Sequence, residues 1–294
     1  MRTLISHWDA DGLGCIILTF KKFSFENTNV FFSSATTLKA SLCNVIMKME
    51  DPKELLIFDI APSRITLKLS SVFEKVIWID HHEADIKNDI PNNVNLILNP
   101  KYKSATSLAA EYFDIKDEIV EIVNEIDSNQ VTNEKSAFFR DLIVAIKFKT
   151  KNNISQLTKK FIFLAKFLSF YTIDDLMKRE DEVKLVNNYR EYIKSLVDKE
   201  LKKIKEFEID GKKILVLETT TSLPIYEIYS KLENKDFDIF VAMFKKVDLA
   251  KNLIVTKLEF RSNTTNVYKI AKEFGGGGHK NAAGALIAKY LTSE

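Results

Sequence analysis

This 294-residue sequence has only two cysteines, no strong excess of one charge and no long apolar run. The two cysteines, Cys15 and Cys43, cannot build a disulfide framework and show no Cys-x-x-Cys spacing, which argues against a thiolate zinc site and fits a reducing compartment. Lys and Arg number 43 against 41 for Asp and Glu, which gives a net charge of +2. This balance does not indicate wrapping of a long duplex, although it is compatible with a local basic pocket.

No segment of the sequence has the features of a signal peptide or of a membrane-spanning helix. The N-terminus becomes acidic at Asp9, so it lacks the apolar core of a signal peptide. The most apolar stretch, residues 161–173, is shorter than a membrane span and contains Lys166. We therefore expect a soluble, cytoplasmic protein with no membrane partner. With 46% hydrophobic and 29% charged residues, the chain should be globular, and its length favours two domains.

Histidine and glycine are scarce, with four and eight residues, and both are clustered. The histidines are His7, the pair His81 and His82, and His279. Seven of the glycines lie near His7 or His279, and the exception is Gly211. Because structural histidines and loop glycines would be scattered, this clustering indicates a few special sites.

The first hundred residues alternate short apolar runs with amphipathic segments, which predicts parallel strands separated by helices. The predicted strands cover residues 3–6, 30–33, 55–60 and 76–80, and the predicted helices cover residues 13–22, 38–50 and 63–71. We therefore predict an α/β fold whose N-terminal, mainly parallel sheet is flanked by helices. Ligands of such sheets bind outside the carboxyl ends of the strands.

The rest of the chain predicts a helical connector and a smaller C-terminal α/β domain. Residues 104–207 are helical in pattern almost throughout, ending in a charged amphipathic stretch. Asp210 and Gly211 then separate two alternating apolar segments, the strongest short signal for a hairpin. We predict strands over 237–244 and 253–260, a helix over 267–274 and a small-residue helix from Asn281. The predicted boundaries are 1–175, 176–205 for the connector, and 206–294.

Three polar residues, His7, Asp9 and Asp11, alternate after the first predicted strand. Alternate residues of an extended segment share one face. Two carboxylates beside an imidazole suit Mn²⁺ or Mg²⁺. An acidic surface turn, with an Asp as helix N-cap, is the other interpretation.

Two later segments favour the metal interpretation. Asp59 ends a run apolar enough for a central strand, where an unpaired carboxylate would be costly. It could also cap the next helix, but Ser63 could do so equally well. Asp80, His81 and His82 follow another strand that looks buried. Together the segments predict a metal or phosphate site.

The C-terminal part contains a second candidate feature. Four successive glycines, residues 275–278, precede His279 and Lys280. Their backbone could approach an anion and cradle a phosphate, whereas a flexible linker is the alternative. Arg261, at the end of a predicted strand, could grip a phosphate through two parallel hydrogen bonds.

Several other residues are expected to have a structural role rather than a catalytic or ligand-binding one. The segment SATS, residues 104–107, is typical of helix capping. Trp8 and Trp78 are expected to pack beneath the site. Tyr268 and Phe274 lie at helical spacing and are more typical of a core than of a base-stacking platform.

The segments SHWDADG, FDIAP, IDHHE and FGGGGHKNAAG resemble, in this order, the most recognisable signatures of the DHH phosphoesterases that carry a DHHA1 C-terminal domain. That group includes oligoribonucleases (nanoRNases) and phosphoadenosine-phosphate phosphatases, with the exonuclease RecJ as a more distant relative. The motifs extend from residue 6 to residue 284. The resemblance implies a DHH catalytic domain, a helical linker and a DHHA1 substrate-binding domain over the boundaries given above.

The resemblance also implies two Mn²⁺ ions per chain, with Mg²⁺ or Co²⁺ as possible substitutes. The implied ligands are His7, Asp9 and Asp59 for one ion, and Asp11, Asp59, His81 and a later Asp for the other. Asp127 is the best candidate for the later residue because apolar helical residues precede it. Asp114 and Asp117 are competitors that would instead be helix-terminal charges.

The resemblance implies two catalytic residues, Asp80 and His82. Asp80 would orient the metal ligand His81 without itself binding the metal, and His82 would point toward the scissile phosphate. The first motif has His-x-Asp-x-Asp where many members have His-x-x-x-Asp-x-Asp, which affects the position expected for His7. The implied substrate-binding residues are Arg261, Ser262, Gly276, Gly277, Gly278 and His279.

The implied function is Mn²⁺-dependent hydrolysis of short single-stranded RNA or DNA, including nanoRNA and dinucleotides, to mononucleotides, with two metals activating water. A phosphoadenosine-phosphate phosphatase and a phosphodiesterase for linear products of cyclic dinucleotides are alternatives. An inorganic pyrophosphatase fits the GGGGH segment less well. The alternative of another class is a noncatalytic nucleotide- or RNA-binding module. A homodimer is one possible assembly.

Overall fold

Short runs of buried aliphatic residues build a five-stranded parallel sheet near the N-terminus. Its strands are β1 Arg2–His7, β2 Thr28–Ser33, β3 Glu54–Phe58, β4 Lys75–Asp80 and β5 Val94–Leu98. Their order in the sheet is β2-β1-β3-β4-β5. The predicted α/β class with a parallel sheet is confirmed. β5 adds a strand that the apolar pattern does not single out.

Helices flank this sheet, and the chain continues into a helical region. The helices are α1 Ala10–Phe23, α2 Leu38–Lys48, α3 Arg64–Ser70, α4 Ala105–Phe113, α5 Glu118–Asp127, α6 Glu134–Thr150, α7 Ile154–Phe170, α8 Ile173–Leu176 and α9 Glu180–Glu200. Leu4 and Leu56 join a core with α1 and α4, whereas Ile5 and Ile57 join a second core with α2. Because successive strand residues point to opposite faces, burial on both faces explains the unbroken apolar runs.

The computed structural model describes residues 1–48, 51–84, 86, 90–150, 153–221, 223–232, 234–248 and 253–290. The chain divides into two compact units, Met1–Tyr189 and Arg190–Glu294. The division falls within α9, which occupies most of the predicted connector. Within the described ranges, no helix combines the length and the apolar character needed to cross a membrane.

The C-terminal unit is built on a six-stranded mixed sheet. Its strands are β6 Lys205–Ile209, β7 Lys212–Thr219, β8 Ile239–Asp248, β9 Leu253–Arg261, β10 Gly277–Gly278 and β11 Ala282–Tyr290, and its helices are α10 Ile225–Ser230 and α11 Val267–Glu273. The strand order is β10-β11-β9-β8-β7-β6. Asp210 and Gly211 both have positive φ, 51° and 70°, between β6 and β7. These are the left-handed conformations that a tight hairpin turn requires, as the Asp-Gly pair predicts.

The prediction of a small-residue helix from Asn281 is wrong. This segment forms β11, which pairs antiparallel with β9 over its whole length. Ala283 and Ala285 face the core beside Phe260, so the small residues follow a period of two. Alanine favours helices locally, but strand pairing and packing override that weak preference here.

Candidate metal centre

The carboxyl ends of three neighbouring strands bring polar side chains together in the N-terminal unit. β1 ends at His7, β3 ends one residue before Asp59, and β4 ends at Asp80. These strands are adjacent and parallel, with Ser6 of β1 in register with Phe58 of β3. The residues that follow each strand therefore emerge side by side at one edge of the sheet, where ligands of such folds gather.

The first group of ligand atoms comprises His7, Asp9 and Asp59. His7 Nδ1 lies 2.5 Å from Asp9 Oδ2 and 3.5 Å from Asp59 Oδ2. One ligand atom from each residue lies within 4.8 Å of the others. This is the set that the family resemblance implies for the first ion.

The second group comprises Asp11 on α1, His81 after β4 and Asp127 at the end of α5. His81 Nε2 lies 3.5 Å from Asp11 Oδ2, 3.4 Å from Asp127 Oδ2 and 3.9 Å from Asp59 Oδ1. Asp59 therefore has one oxygen near each group, as a carboxylate bridging two ions would.

The environment of Asp59 fits a cation. The residue is 3% exposed, and its Oδ2 has no hydrogen-bond partner among the described residues. Burial, followed by the charges of Asp9 and Asp11, raises the pKa of this carboxyl well above its usual range. Its φ of 55° is uncommon for a residue with a side chain. A buried anion held in this way among other anions calls for positive charge, and carboxylates with imidazoles suit Mn²⁺ or Mg²⁺.

Asp9 also caps a helix. Its Oδ1 accepts a hydrogen bond from the Gly12 amide at 3.0 Å at the start of α1. Burial would raise the pKa of Asp9, but the charge and hydrogen bond of His7 outweigh it and hold that pKa well below its usual range. A side chain at Gly12 would collide with the His7 carbonyl. Glycine at this position therefore lets α1 begin directly next to the His7 backbone. Asp9 caps α1 through Oδ1 and contacts His7 through Oδ2, so the capping and metal interpretations of this segment are compatible.

Asp11 is held by the segment SATS, for which the sequence predicts capping alone. The amides of Ala105 and Thr106 donate to its two carboxylate oxygens at 2.7 Å each. The Thr106 hydroxyl lies 2.7 Å from Asp11 Oδ1. A side chain at Gly14 would collide with that hydroxyl. The capping pattern of α4 is visible in the sequence, but a partner 94 residues away is not.

Asp80 orients a different histidine from the one expected. Its Oδ1 accepts a hydrogen bond from His82 Nδ1 at 2.8 Å, whereas His81 Nδ1 lies 3.2 Å from the Tyr102 carbonyl oxygen. Burial would lower the pKa of His82, but the hydrogen bond and charge of Asp80, with the charge of Asp127, raise it to about 9. This shift favours the protonated form of the His82 ring. The expectation that Asp80 positions His81 is corrected to His82.

The competitors of Asp127 cap helices. Asp114 ends α4 in a left-handed conformation, with φ of 53°, and Asp117 accepts a hydrogen bond from the Ile119 amide at the start of α5. Asp127 instead lies beside His81. Burial, followed by the charge of Asp11, raises its pKa well above the usual range.

In the C-terminal unit, Arg261 and Ser262 have partners within the unit. Arg261 donates to the Phe260 carbonyl at 2.9 Å and lies 3.3 Å from Glu259. Ser262 is 1% exposed and donates to the Asp238 carbonyl at 2.6 Å. These contacts indicate that Ser262 has a structural role in the turn after β9, in contrast to the predicted contact with substrate.

The glycine segment is more ordered than a linker. The amides of Gly275 and Gly276 donate to the Lys272 and Ala271 carbonyls at 2.9 and 2.8 Å. These two amides are therefore engaged by carbonyls of α11, contrary to the expectation that they approach an anion. Gly277 and Gly278 form β10, and His279, which is exposed, follows.

The aromatic residues near the motifs differ in exposure. Trp78 is buried and donates from Nε1 to the Ile60 carbonyl at 2.8 Å, as expected for packing. Trp8 is only partly buried and stacks on Phe32. Phe274 is exposed and stacks on Phe260 in the C-terminal unit.

No protein-family model matches the sequence, and no curated protein matches it. Solved structures do match its fold. The pGpG-specific phosphodiesterase PggH from Vibrio cholerae is similar over 98% of this chain and 94% of its own, with a TM-score of 0.61 and 19% identity. A DHH domain from a protein described as a member of a family of ribosomal proteins gives a TM-score of 0.57 and 14% identity, over 98% of this chain and 82% of its own.

RecJ from Thermus thermophilus, solved in complex with Mn²⁺, gives a TM-score of 0.53 and 13% identity, over 97% of this chain and 49% of its own. The chain therefore has the fold of the DHH proteins, as the motifs predict.

Proposed function

We propose that the chain is a divalent-metal-dependent phosphoesterase that hydrolyses short oligonucleotides or linear dinucleotides to mononucleotides. The observation that carries the proposal is the position of Asp59, with Oδ2 3.5 Å from His7 Nδ1 and Oδ1 3.9 Å from His81 Nε2. A pure binding module has no need of a buried carboxylate shared by two ligand groups. The fold similarity to a phosphodiesterase and to a Mn²⁺-bound RecJ supports the same chemistry.

His7, Asp9 and Asp59 would hold one cation, and Asp11, Asp59, His81 and Asp127 the other. When bound, two divalent cations such as Mn²⁺ supply Lewis-acid activation of water and neutralise the charge that develops on the phosphate. The raised pKa values of Asp59 and Asp127 support this assignment, because burial, and then repulsion between the carboxylates, opposes their ionisation until cations are present.

The chain's own groups would position the phosphate. Asp80 accepts a hydrogen bond from His82 Nδ1, which orients the ring and favours its protonated form. We assign His82 Nε2 as the donor to a phosphate oxygen, where a fixed positive charge stabilises the anion that forms during attack. We further assign Arg261 and His279 of the C-terminal unit to binding the substrate away from the cleaved bond. The net charge of +2 suits a short ligand better than a long polyanion.

The test is hydrolysis by the purified full chain with Mn²⁺, offered RNA of dinucleotide to pentanucleotide length, pGpG, phosphoadenosine phosphate and pyrophosphate. We expect cleavage of the short RNA or pGpG and its loss on chelation. Binding of a nucleotide without cleavage of any substrate would support the noncatalytic alternative and overturn the proposal. Exclusive cleavage of phosphoadenosine phosphate would favour the phosphatase alternative.

A further inference from the structure

Trp8 lies between two proposed metal ligands, His7 and Asp9, at the carboxyl edge of the sheet. Its indole stacks on Phe32, with ring centroids 4.9 Å apart and an angle of 29° between the planes. Phe32 is in turn braced edge-on by Phe161, 5.4 Å away and 0% exposed. The Trp8 ring is therefore fixed from one side by a rigid aromatic support.

Trp8 is nevertheless only partly buried, unlike Trp78, which is 0% exposed. The exposed part of the indole is apolar surface, and covering it would be favourable. The stacked position on Phe32 sets the plane of the ring in advance, so little conformational entropy would be lost when a second flat ring covers it.

A positive charge also acts on the two ligands that flank Trp8 in the sequence. The ammonium of Lys147 on α6 acts electrostatically on both His7 and Asp9. A cation and an aromatic face beside a phosphate-cleaving centre match the two halves of a nucleotide, since every base has a π-face and every phosphate is an anion. A base is joined to its phosphate by one ribose, and the backbone of Trp8 lies between those of two proposed ligands, His7 and Asp9.

We propose that Trp8 is the platform on which a nucleobase of the substrate stacks next to the cleaved phosphate. The proposal rests on the function proposed above and specifies the substrate as one with a base adjoining the reacting group. Stacking on an aromatic ring tolerates any base, so Trp8 would contribute affinity rather than base specificity.

The test compares Trp8→Phe, Trp8→Leu and Phe170→Leu in the full chain with Mg²⁺. Phe170 is a matched control, since it is 72% exposed and packs edge-on against Phe25, before the start of β2, at the opposite edge of the sheet. The probes are GMP and the base-free analogue ribose 5-phosphate, with binding measured by calorimetry and by tryptophan fluorescence.

We expect GMP, but not ribose 5-phosphate, to quench the wild-type fluorescence, and the quench to disappear in Trp8→Phe. Affinity for GMP should fall about tenfold in Trp8→Leu and much less in Trp8→Phe, which keeps a ring. Phe170→Leu should bind both probes as the wild type does. Circular dichroism and melting curves would establish that each variant is folded.

Failure of GMP to bind to the wild type, equal GMP affinity in Trp8→Leu, or an equal loss of affinity for both probes would overturn the inference. The last result would assign Trp8 a purely structural role. If GMP stacks as expected but no substrate is hydrolysed, the proposed function fails, whereas nucleotide binding through Trp8 is retained. If hydrolysis proceeds with an unchanged KM in Trp8→Leu, the proposed function stands and the inference about Trp8 fails.

Discussion

Thr106 donates its backbone amide and its side-chain hydroxyl to the same carboxylate oxygen of Asp11, each at 2.7 Å. Both residues are buried, at 0% and 1% exposure. The contact ties the start of α4 to a proposed metal ligand on α1. Hydrogen bonds to a charged group are among the stronger ones in proteins, so this pair links the stability of the unit to the geometry of the site.

Replacing Thr106 with Val, which keeps the shape but removes the hydroxyl, should lower the free energy of unfolding by about 2 kcal/mol. It should also weaken Mn²⁺ binding, because Asp11 would lose one of its fixed contacts. Urea denaturation and calorimetric titration with Mn²⁺ measure the two effects. Thr106→Ser retains the hydroxyl and should lose much less of either. A Val variant as stable as the wild type would show that the hydroxyl contact is not stabilising.

Asp59→Asn should have opposite effects on the metal-free and the metal-loaded protein. Asn tolerates the left-handed backbone at this position and removes the charge. Because the pKa of Asp59 is raised in the fold, its ionisation costs stability as the pH rises above the unfolded value. At neutral pH with EDTA, the variant should therefore melt at a higher temperature than the wild type.

The same variant should lose the rise in melting temperature that Mn²⁺ gives the wild type. Its activity should fall by at least about a hundredfold, since changes in residues that only support metal ligands already cost up to that much. Asp51→Asn, an exposed carboxylate before β3, is the matched control and should change neither property. Retention of full Mn²⁺-dependent activity in Asp59→Asn would exclude the bridging role.

Stability should depend on pH through His82. Its folded pKa of about 9 lies above the unfolded value, so the protonated ring stabilises the fold fully below about pH 6.5, and this contribution is lost as the pH rises through about 9. With EDTA present, the difference in unfolding free energy between wild type and His82→Gln should shrink across that window. A difference that stays constant would mean that the pKa is not raised.

Asp80→Asn provides the companion measurement. Removing the anion that accepts from His82 Nδ1 should lower the pKa of His82 toward its ordinary value. NMR titration of the imidazole would detect this directly. Because Asp127 also acts on the ring, we expect a partial rather than a complete return.

Arg261→Gln should chiefly weaken substrate binding. Arg261 lies at the end of β9, and its guanidinium could form paired hydrogen bonds with a phosphate. We expect KM to rise about tenfold while kcat changes little, as for an interaction made equally in ground and transition states. Lys257→Gln, on the same strand, removes the same charge and serves as the control. Equal effects of the two changes would show that Arg261 contributes only its positive charge and makes no specific contact with the substrate.

Much of the site follows from local sequence. Buried parallel strands require continuous apolar runs, so the ends of β1, β3 and β4 are visible as the positions where such runs give way to His7, Asp59 and Asp80. The carboxyl ends of adjacent parallel strands share one edge. The sequence alone therefore predicts that these segments converge.

What the sequence could not determine depends on partners that are distant along the chain. Three features depend on how helices and loops pack against the sheet. They are the hydrogen bonds from Thr106 to Asp11, the hydrogen bond between Asp80 and His82, and the partial exposure of Trp8. The segment after Asn281 has the local preference of a helix and becomes a strand because β9 offers it hydrogen bonds along its length. Sequence thus determined which residues could do chemistry, and tertiary packing decided their partners, because hydrogen bonding and burial act on distance in space rather than on separation along the chain.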